Sequence, residues 1–228
     1  MGILYSGPFS GFKNRVGNLV GYKSRGLEVI RVYAVPSNPR SESQVTQRSK
    51  FLVSLLVASA LNNYSSFVSF WNSVKEIGQT YFSQFMKANV QHCTSSEPVA
   101  PFSAFPTVGA FQNNLTVTDL ALIDYNISAT VPKLSSVFSN LAGYTNAFFY
   151  LAFIATSPSG EQKIVDATLL TKSVPGYNFG NPYSLIVTLD DYSKTLLTDY
   201  QRTHAQILVK VTGDNMPDLF SVSELSIL

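Results

Sequence analysis

The chain is poor in cysteine, histidine and charged residues. Its 228 residues include one cysteine and two histidines, and only 13% are Asp, Glu, Lys or Arg. The single cysteine, Cys93, excludes an intrachain disulfide and argues against a secreted scaffold held together by disulfides. His92 precedes it, but a tetrahedral metal site needs further ligands, and His204 is distant in sequence. We therefore predict no metal site and no cofactor.

The sequence also lacks the residue patterns of common catalytic and phosphate-binding sites. The glycines of the first 26 residues do not match a phosphate-binding loop, and no nucleophile is accompanied by a plausible base. Asp190 and Asp191 have the chemistry to bind a cation, but an Asp-rich connection more often caps a helix and faces solvent. We expect that the chain is not an enzyme.

Long apolar runs are absent as well. The longest apolar stretch, Phe51 to Leu61, is too short to span a bilayer and is interrupted by Ser54 and Ser59. The first residues lack the basic start and apolar run of a signal peptide. These observations predict a protein that is made soluble in the cytoplasm and does not insert into a membrane.

Positive charge, by contrast, is concentrated near the N-terminus. The net charge is only +2, but seven cations and two glutamates lie between residues 13 and 48. The cations are Lys13, Arg15, Lys23, Arg25, Arg31, Arg40 and Arg48. They are candidates for polar contacts with nucleic acid or an acidic protein surface; alternatively, they keep a solvated segment soluble. Aromatic residues are not interleaved with them in the manner of single-strand-binding surfaces.

The sequence predicts an α+β fold in four parts. Residues 1–40 form a glycine-rich basic extended arm with a short β-hairpin, and residues 41–90 form an αα-hairpin. Residues 91–112, rich in Pro and Ser, form a linker. Residues 113–228 alternate apolar and polar positions in six or so segments, which indicates an antiparallel β-sandwich or barrel.

The two helical patterns carry more apolar surface than a small domain needs. Ser41 and Gln44 form a capping box, and the first helix runs from about Ser41 to Asn62. After Lys50 it is apolar on nearly every side, so it should be buried on every side. The second pattern is one amphipathic helix, with a kink or a close helix crossing at Gly78.

Aromatic residues form a stripe along the second helix. They are Phe67, Phe70, Trp71, Tyr81 and Phe85. The stripe either packs against the first helix or docks onto a neighbouring subunit, and the two interpretations are compatible. We therefore take these aromatic residues, together with the N-terminal cations, as the candidate interface.

The N-terminal residues resemble a known family. The relevant segments are Ser6-Gly7-Pro8-Phe9-Ser10-Gly11, Val16-Gly17-Asn18-Leu19-Val20-Gly21, and Asn38-Pro39-Arg40-Ser41-Glu42-Ser43-Gln44, together with Arg31, Arg48 and Phe51. They are similar to an uncharacterised family of Bacteroidota and their phages, and to Asn-Pro-Arg-Thr-x-x-Gln segments of phage virion proteins. Ser41 replaces the usual threonine, a conservative change for a cap. The resemblance covers about the first 50 residues and implies a phage or prophage product.

Two functions remain open after the sequence analysis. The first is a phage virion structural protein, a capsid shell or shell-attached component made in the bacterial cytoplasm. Its partners would be copies of itself and other virion proteins, and its basic arm would contact neighbouring subunits or the genome. The second is a β-sandwich binding module that recognises a glycan or host surface molecule, which predicts an exposed aromatic patch on the β region.

Overall fold

The computed structural model describes residues 2–4, 14–24, 27–34, 40–160 and 163–228. The chain divides into two compact units, Met1–Ser41 and Glu42–Leu228. In the described residues, thirteen strands and four α-helices form an α+β fold with three sheets. The predicted α+β class is confirmed.

The first unit is a four-stranded antiparallel sheet. Its strands are β1 (Gly2–Leu4), β2 (Asn14–Val16), β3 (Leu19–Ser24) and β4 (Leu27–Val32). The strand order is β1-β4-β3-β2. The predicted hairpin corresponds to β3 and β4, and β1 and β2 extend it on either side. Gly17 has φ +59° in the turn between β2 and β3, a conformation that glycine adopts without steric cost.

Three helices open the second unit. They are α1 (Glu42–Leu61), α2 (Ser65–Val74) and α3 (Tyr81–Asn89). The prediction for α1 is accurate to one residue at each end, but the single second helix was wrong. Gly78 has φ +83°, which a continuous right-handed helix does not allow. Thr80 then caps a new helix by accepting a hydrogen bond from the Ser83 amide at 3.1 Å.

The rest of the second unit contains two sheets and a fourth helix. The larger sheet comprises β5 (Phe111–Leu115), β8 (Tyr144–Pro158), β9 (Val165–Val174), β11 (Tyr200–Gly213), β12 (Leu219–Ser223) and β13 (Ser226–Ile227). Its order is β5-β12-β11-β8-β9, with β13 beside β11. The smaller sheet has the order β10-β7-β6, from β6 (Thr118–Ile123), β7 (Asn126–Val131) and β10 (Tyr183–Thr188). The helix α4 (Asp191–Asp199) precedes β11. Strand β5 pairs in parallel with β12, a departure from the antiparallel prediction.

The larger sheet is covered on both faces. Along β8, Phe149 and Leu151 belong to the core shared with the smaller sheet, whereas Ala152 and Ile154 belong to the core shared with the helices. Successive side chains of a strand point to opposite faces, so a strand between two layers needs apolar residues at nearly every position. This explains the nearly continuous apolar run of β8.

Residues 91–112 lie within the second unit and contribute to its core. Phe102 and Phe105 are buried in the helix-side core, and the indole Nε1 of Trp71 donates a hydrogen bond to the Ala104 carbonyl at 2.9 Å. The Asn89 side chain also holds Ser103, accepting from its amide at 2.8 Å and donating to its carbonyl at 2.9 Å. Prolines prevent regular secondary structure here without preventing burial. The segment that we predicted to be a linker thus joins the helices and the sheet in one core.

Candidate functional site

The aromatic stripe lies in the core of the second unit. Phe67 and Phe85 have no exposed surface, and Trp71 and Phe70 are 2% and 7% exposed. Phe70 packs edge-to-face on Tyr150 of β8, with ring centroids 5.0 Å apart. The half-buried Tyr81 donates a hydrogen bond from its hydroxyl to Asn62 Oδ1. These residues anchor packing inside their own chain, and the four buried rings offer no surface to a neighbour.

The first half of α1 carries large apolar side chains that remain exposed. Every residue from Glu42 to Arg48 is exposed, and the buried face begins only at Val53. Val45, Phe51 and Leu52 are 47%, 48% and 39% exposed. Our expectation that α1 is buried on every side was therefore wrong, because the core covers one side of its second half. We call the exposed segment Glu42–Leu52 the α1 surface.

The described cations of the first unit lie on two faces of its sheet. Lys13 and Arg25 are outside the described residues. Arg15 and Arg31 both pair with Val20, so they share a face, whereas Lys23 pairs with Glu28 on the other. Arg15, Lys23 and Arg31 are exposed, as are Arg40 and Arg48 farther along the chain. Three of the predicted cations, Arg15, Lys23 and Arg31, thus lie on paired strands of a sheet.

Tyrosines accompany the two arginines on that face. The Arg15 guanidinium carbon lies 3.8 Å from the centre of the Tyr33 ring, and that of Arg31 lies 5.6 Å from the Tyr22 ring. We call these four residues the arginine–tyrosine face. The prediction that aromatic residues are not interleaved with these cations was wrong, since Tyr22 directly precedes Lys23 and Tyr33 follows Arg31 by two positions. Because Tyr22 pairs with Val29, it is a diagonal neighbour of Arg31 on the same face of the sheet.

The opposite face of this sheet carries an apolar row. Val16 pairs with Leu19, and Leu19 pairs with Val32. Their exposed fractions are 64%, 41% and 68%. A row of three neighbouring apolar side chains in water is a favourable place for contact with another apolar surface.

A cluster of titratable residues lies at the start of β11. Arg202 binds both oxygens of Glu97, at 3.0 and 3.2 Å, and His204 Nε2 lies 3.6 Å from Glu97 Oε2. Thr156 Oγ1 is 3.4 Å from the same nitrogen. Burial lowers the pKa of His204 despite the opposing effect of Glu97. His204 is only 3% exposed, so it offers little surface to a ligand. The cluster instead anchors the loop containing Glu97 to the sheet.

The other candidate groups of the sequence analysis have local roles. Asp190 accepts the Ser193 amide at 2.8 Å and caps α4, as predicted. Burial raises the pKa of the Cys93 thiol to about 12, which keeps it protonated and unreactive. Within the described ranges, three or more His, Cys, Asp or Glu side chains do not come together in a way that would hold a metal ion.

None of the described helices alone has the length and apolar composition to cross a membrane. Helices α1 and α2 meet those two criteria only when taken as a pair, and they are bent by 119° relative to each other.

Comparison with known proteins adds one match. Residues 11–119 match the model of a family described as "Family of unknown function (DUF6266)". The match spans slightly less than half of the chain and ends within β6, so it includes the α1 surface and the arginine–tyrosine face. No curated protein and no solved structure matches the chain.

Proposed function

We propose that this chain is a structural subunit of a phage virion, a shell or shell-attached component that acts by packing against other subunits. The observation that carries the proposal is the α1 surface, where three large apolar side chains remain 39–48% exposed. The resemblance of the N-terminal residues to phage proteins supports the virion context.

The α1 surface has a physical reason to be covered. Its 11 residues form a rod of about 16 Å, and an isolated helix of that length is marginal in water. Complete burial of a fully exposed Val, Leu or Phe side chain contributes about 1.5–3 kcal/mol, and each of these side chains, 39–48% exposed, can contribute roughly half of that. A partner that covers Val45, Phe51 and Leu52 therefore stabilises both the helix and the assembly.

The partner that fits best is a second copy of this chain. Glu42 lies at the start of the exposed segment, and Arg48 and Lys50 lie toward its end. An antiparallel pair of α1 helices places the acidic start of each near the basic end of the other, as a two-fold axis requires. A stable interface buries about 800 Å² per partner, more than three side chains supply, so other surfaces must also contribute. The apolar row of the first unit is one candidate.

Particle assembly is tested by measuring the mass of the full-length protein by light scattering over a range of concentrations. The expected wild-type result is an oligomer larger than the 25.0 kDa chain. The double variant Phe51→Ser, Leu52→Ser should shift toward the monomer. A matched control, Ile77→Ser, changes a fully exposed apolar residue between α2 and α3 and should leave the mass unchanged.

Two results would contradict the proposal: a monomeric wild type at every concentration, or an unchanged oligomer in the double variant. Mass spectrometry of purified phage particles tests the virion assignment separately, since a virion subunit must be recovered in the particle fraction.

A further inference from the structure

A polar groove in the second unit lies apart from the α1 surface. It has a volume of about 360 Å³, within the range of small-ligand sites. One wall is the end of α1 with the turn into α2, and the other is the start of β9 with the first turn of α4. Its polar and aromatic lining residues include Asn62, Asn63, Tyr64, Lys163, Asp166 and Tyr192.

The groove brings together groups that both donate and accept hydrogen bonds. The exposed side chains of Asn62 and Asn63 each carry an amide oxygen and an amide nitrogen. Asp166 adds a carboxylate, of which one oxygen accepts the Ala167 amide at 2.8 Å. Lys163 adds an ammonium group at the rim. This mixture matches a ligand with many hydroxyl groups, which also donate and accept.

Tyr192 supplies a flat apolar surface beside these groups. Tyr192 is 48% exposed, and burial together with the neighbouring Asp166 raises the pKa of its hydroxyl to about 12. The two walls are joined by a hydrogen bond between Tyr64 Oη and Thr168 Oγ1 of β9, 2.6 Å apart, and Asp190 caps the helix that carries Tyr192. A partly exposed aromatic ring in the lining of a groove can stack against the C–H face of a sugar ring.

The groove carries one charge of each sign, Asp166 and Lys163, so its lining has no net charge and gives neither an anion nor a cation an advantage over a neutral ligand. We infer that this groove binds a neutral carbohydrate, which stacks on Tyr192 and hydrogen-bonds to Asn63 and Asp166. The site does not depend on the assembly function, since it uses no residue of the α1 surface.

Binding is tested with full-length protein and four neutral disaccharides: maltose, cellobiose, lactose and N,N′-diacetylchitobiose. Saturation-transfer NMR detects binding, and calorimetry gives the Kd; sialyllactose serves as an anionic comparison. We expect at least one neutral disaccharide to bind. Tyr192→Ala should weaken that binding at least tenfold, and Asn63→Ala should weaken it several-fold.

Two further variants separate stacking from a general loss of structure. Tyr192→Phe keeps the ring and should retain most of the affinity. Tyr125→Ala removes a tyrosine that is 53% exposed outside the groove and should bind like wild type. The inference is overturned if no neutral disaccharide binds, if only sialyllactose binds, or if Tyr192→Ala binds as wild type while circular dichroism shows it folded.

Discussion

The sheet of the first unit and the larger sheet of the second unit use apolar residues in opposite ways. In the larger sheet, Phe149 and Ile154 of β8 point to different faces, and both are completely buried. In the first sheet, Val16 and Val32 lie on either side of Leu19 with most of their surface in solvent. The apolar residues of the covered sheet stabilise its own fold. The uncovered sheet keeps them available for contact with another molecule.

The largest expected effect tests the covered side of this comparison. Trp71→Ala should destabilise the second unit by about 3–5 kcal/mol, because it empties a buried site and leaves the Ala104 carbonyl without its indole donor. Val32→Ala, in the uncovered sheet, should change stability by less than about 0.5 kcal/mol. Far-UV circular dichroism during urea unfolding measures the stability of both variants. Tryptophan fluorescence cannot serve, because Trp71→Ala removes the single tryptophan. Similar losses of unfolding free energy in the two variants would contradict this difference between the two sheets.

A smaller effect tests the surface of the uncovered sheet. If the arginine–tyrosine face contacts the genome, the double variant Arg15→Ala, Arg31→Ala should bind single-stranded DNA about tenfold more weakly, or about 1.4 kcal/mol. Lys23→Ala, on the opposite face, should have a lesser effect. Fluorescence anisotropy at low and physiological salt measures both, and wild-type affinity should fall as salt increases. Equal Kd values for wild type and the double variant would show that this face does not bind single-stranded DNA.

The smallest effect concerns pH and the covered sheet. The pKa of His204 is lowered in the folded state, so the unfolded chain binds more protons as the pH falls below the ordinary value of 6.5. Stability should therefore decrease on acidification, by at most about 1.4 kcal/mol per pH unit from this residue.

His204→Gln is the variant that isolates this contribution. It should reduce the slope of unfolding free energy against pH between neutral pH and the folded pKa of His204, as measured by urea titrations at several pH values. An unchanged slope would show that His204 does not contribute to the pH dependence, and a larger slope in the variant would show that the pairing with Glu97 outweighs burial.

Much of the fold was predictable because its signals are local. The limits of α1 follow from the Ser41 cap position and the apolar pattern, and the cap at Asp190 follows from a short polar side chain before a helix. The break at Gly78 was harder to predict, because glycine inside a helical pattern is tolerated in some contexts and breaks the helix in others.

The candidate sites were less predictable than the elements. The groove joins Asn63 and Asp166, which are far apart in sequence, and the arginine–tyrosine face joins residues of three neighbouring segments. For the aromatic stripe, the residues were predictable but the surface that they contact was not. Its periodicity established that one helix face is apolar, but not whether that face meets its own sheet or another subunit.

By itself, the sequence determined where most strands and helices lie, the basic character of the N-terminal segment and the α+β class. Backbone propensity, capping and alternation act over a few residues, and charge is a property of composition. Only the tertiary structure decided that Phe102 and Phe105 of the segment 91–112 are buried, that Trp71 belongs to the core and that Phe51 stays exposed. Burial depends on which distant surfaces meet, and that pairing is a property of the whole folded chain.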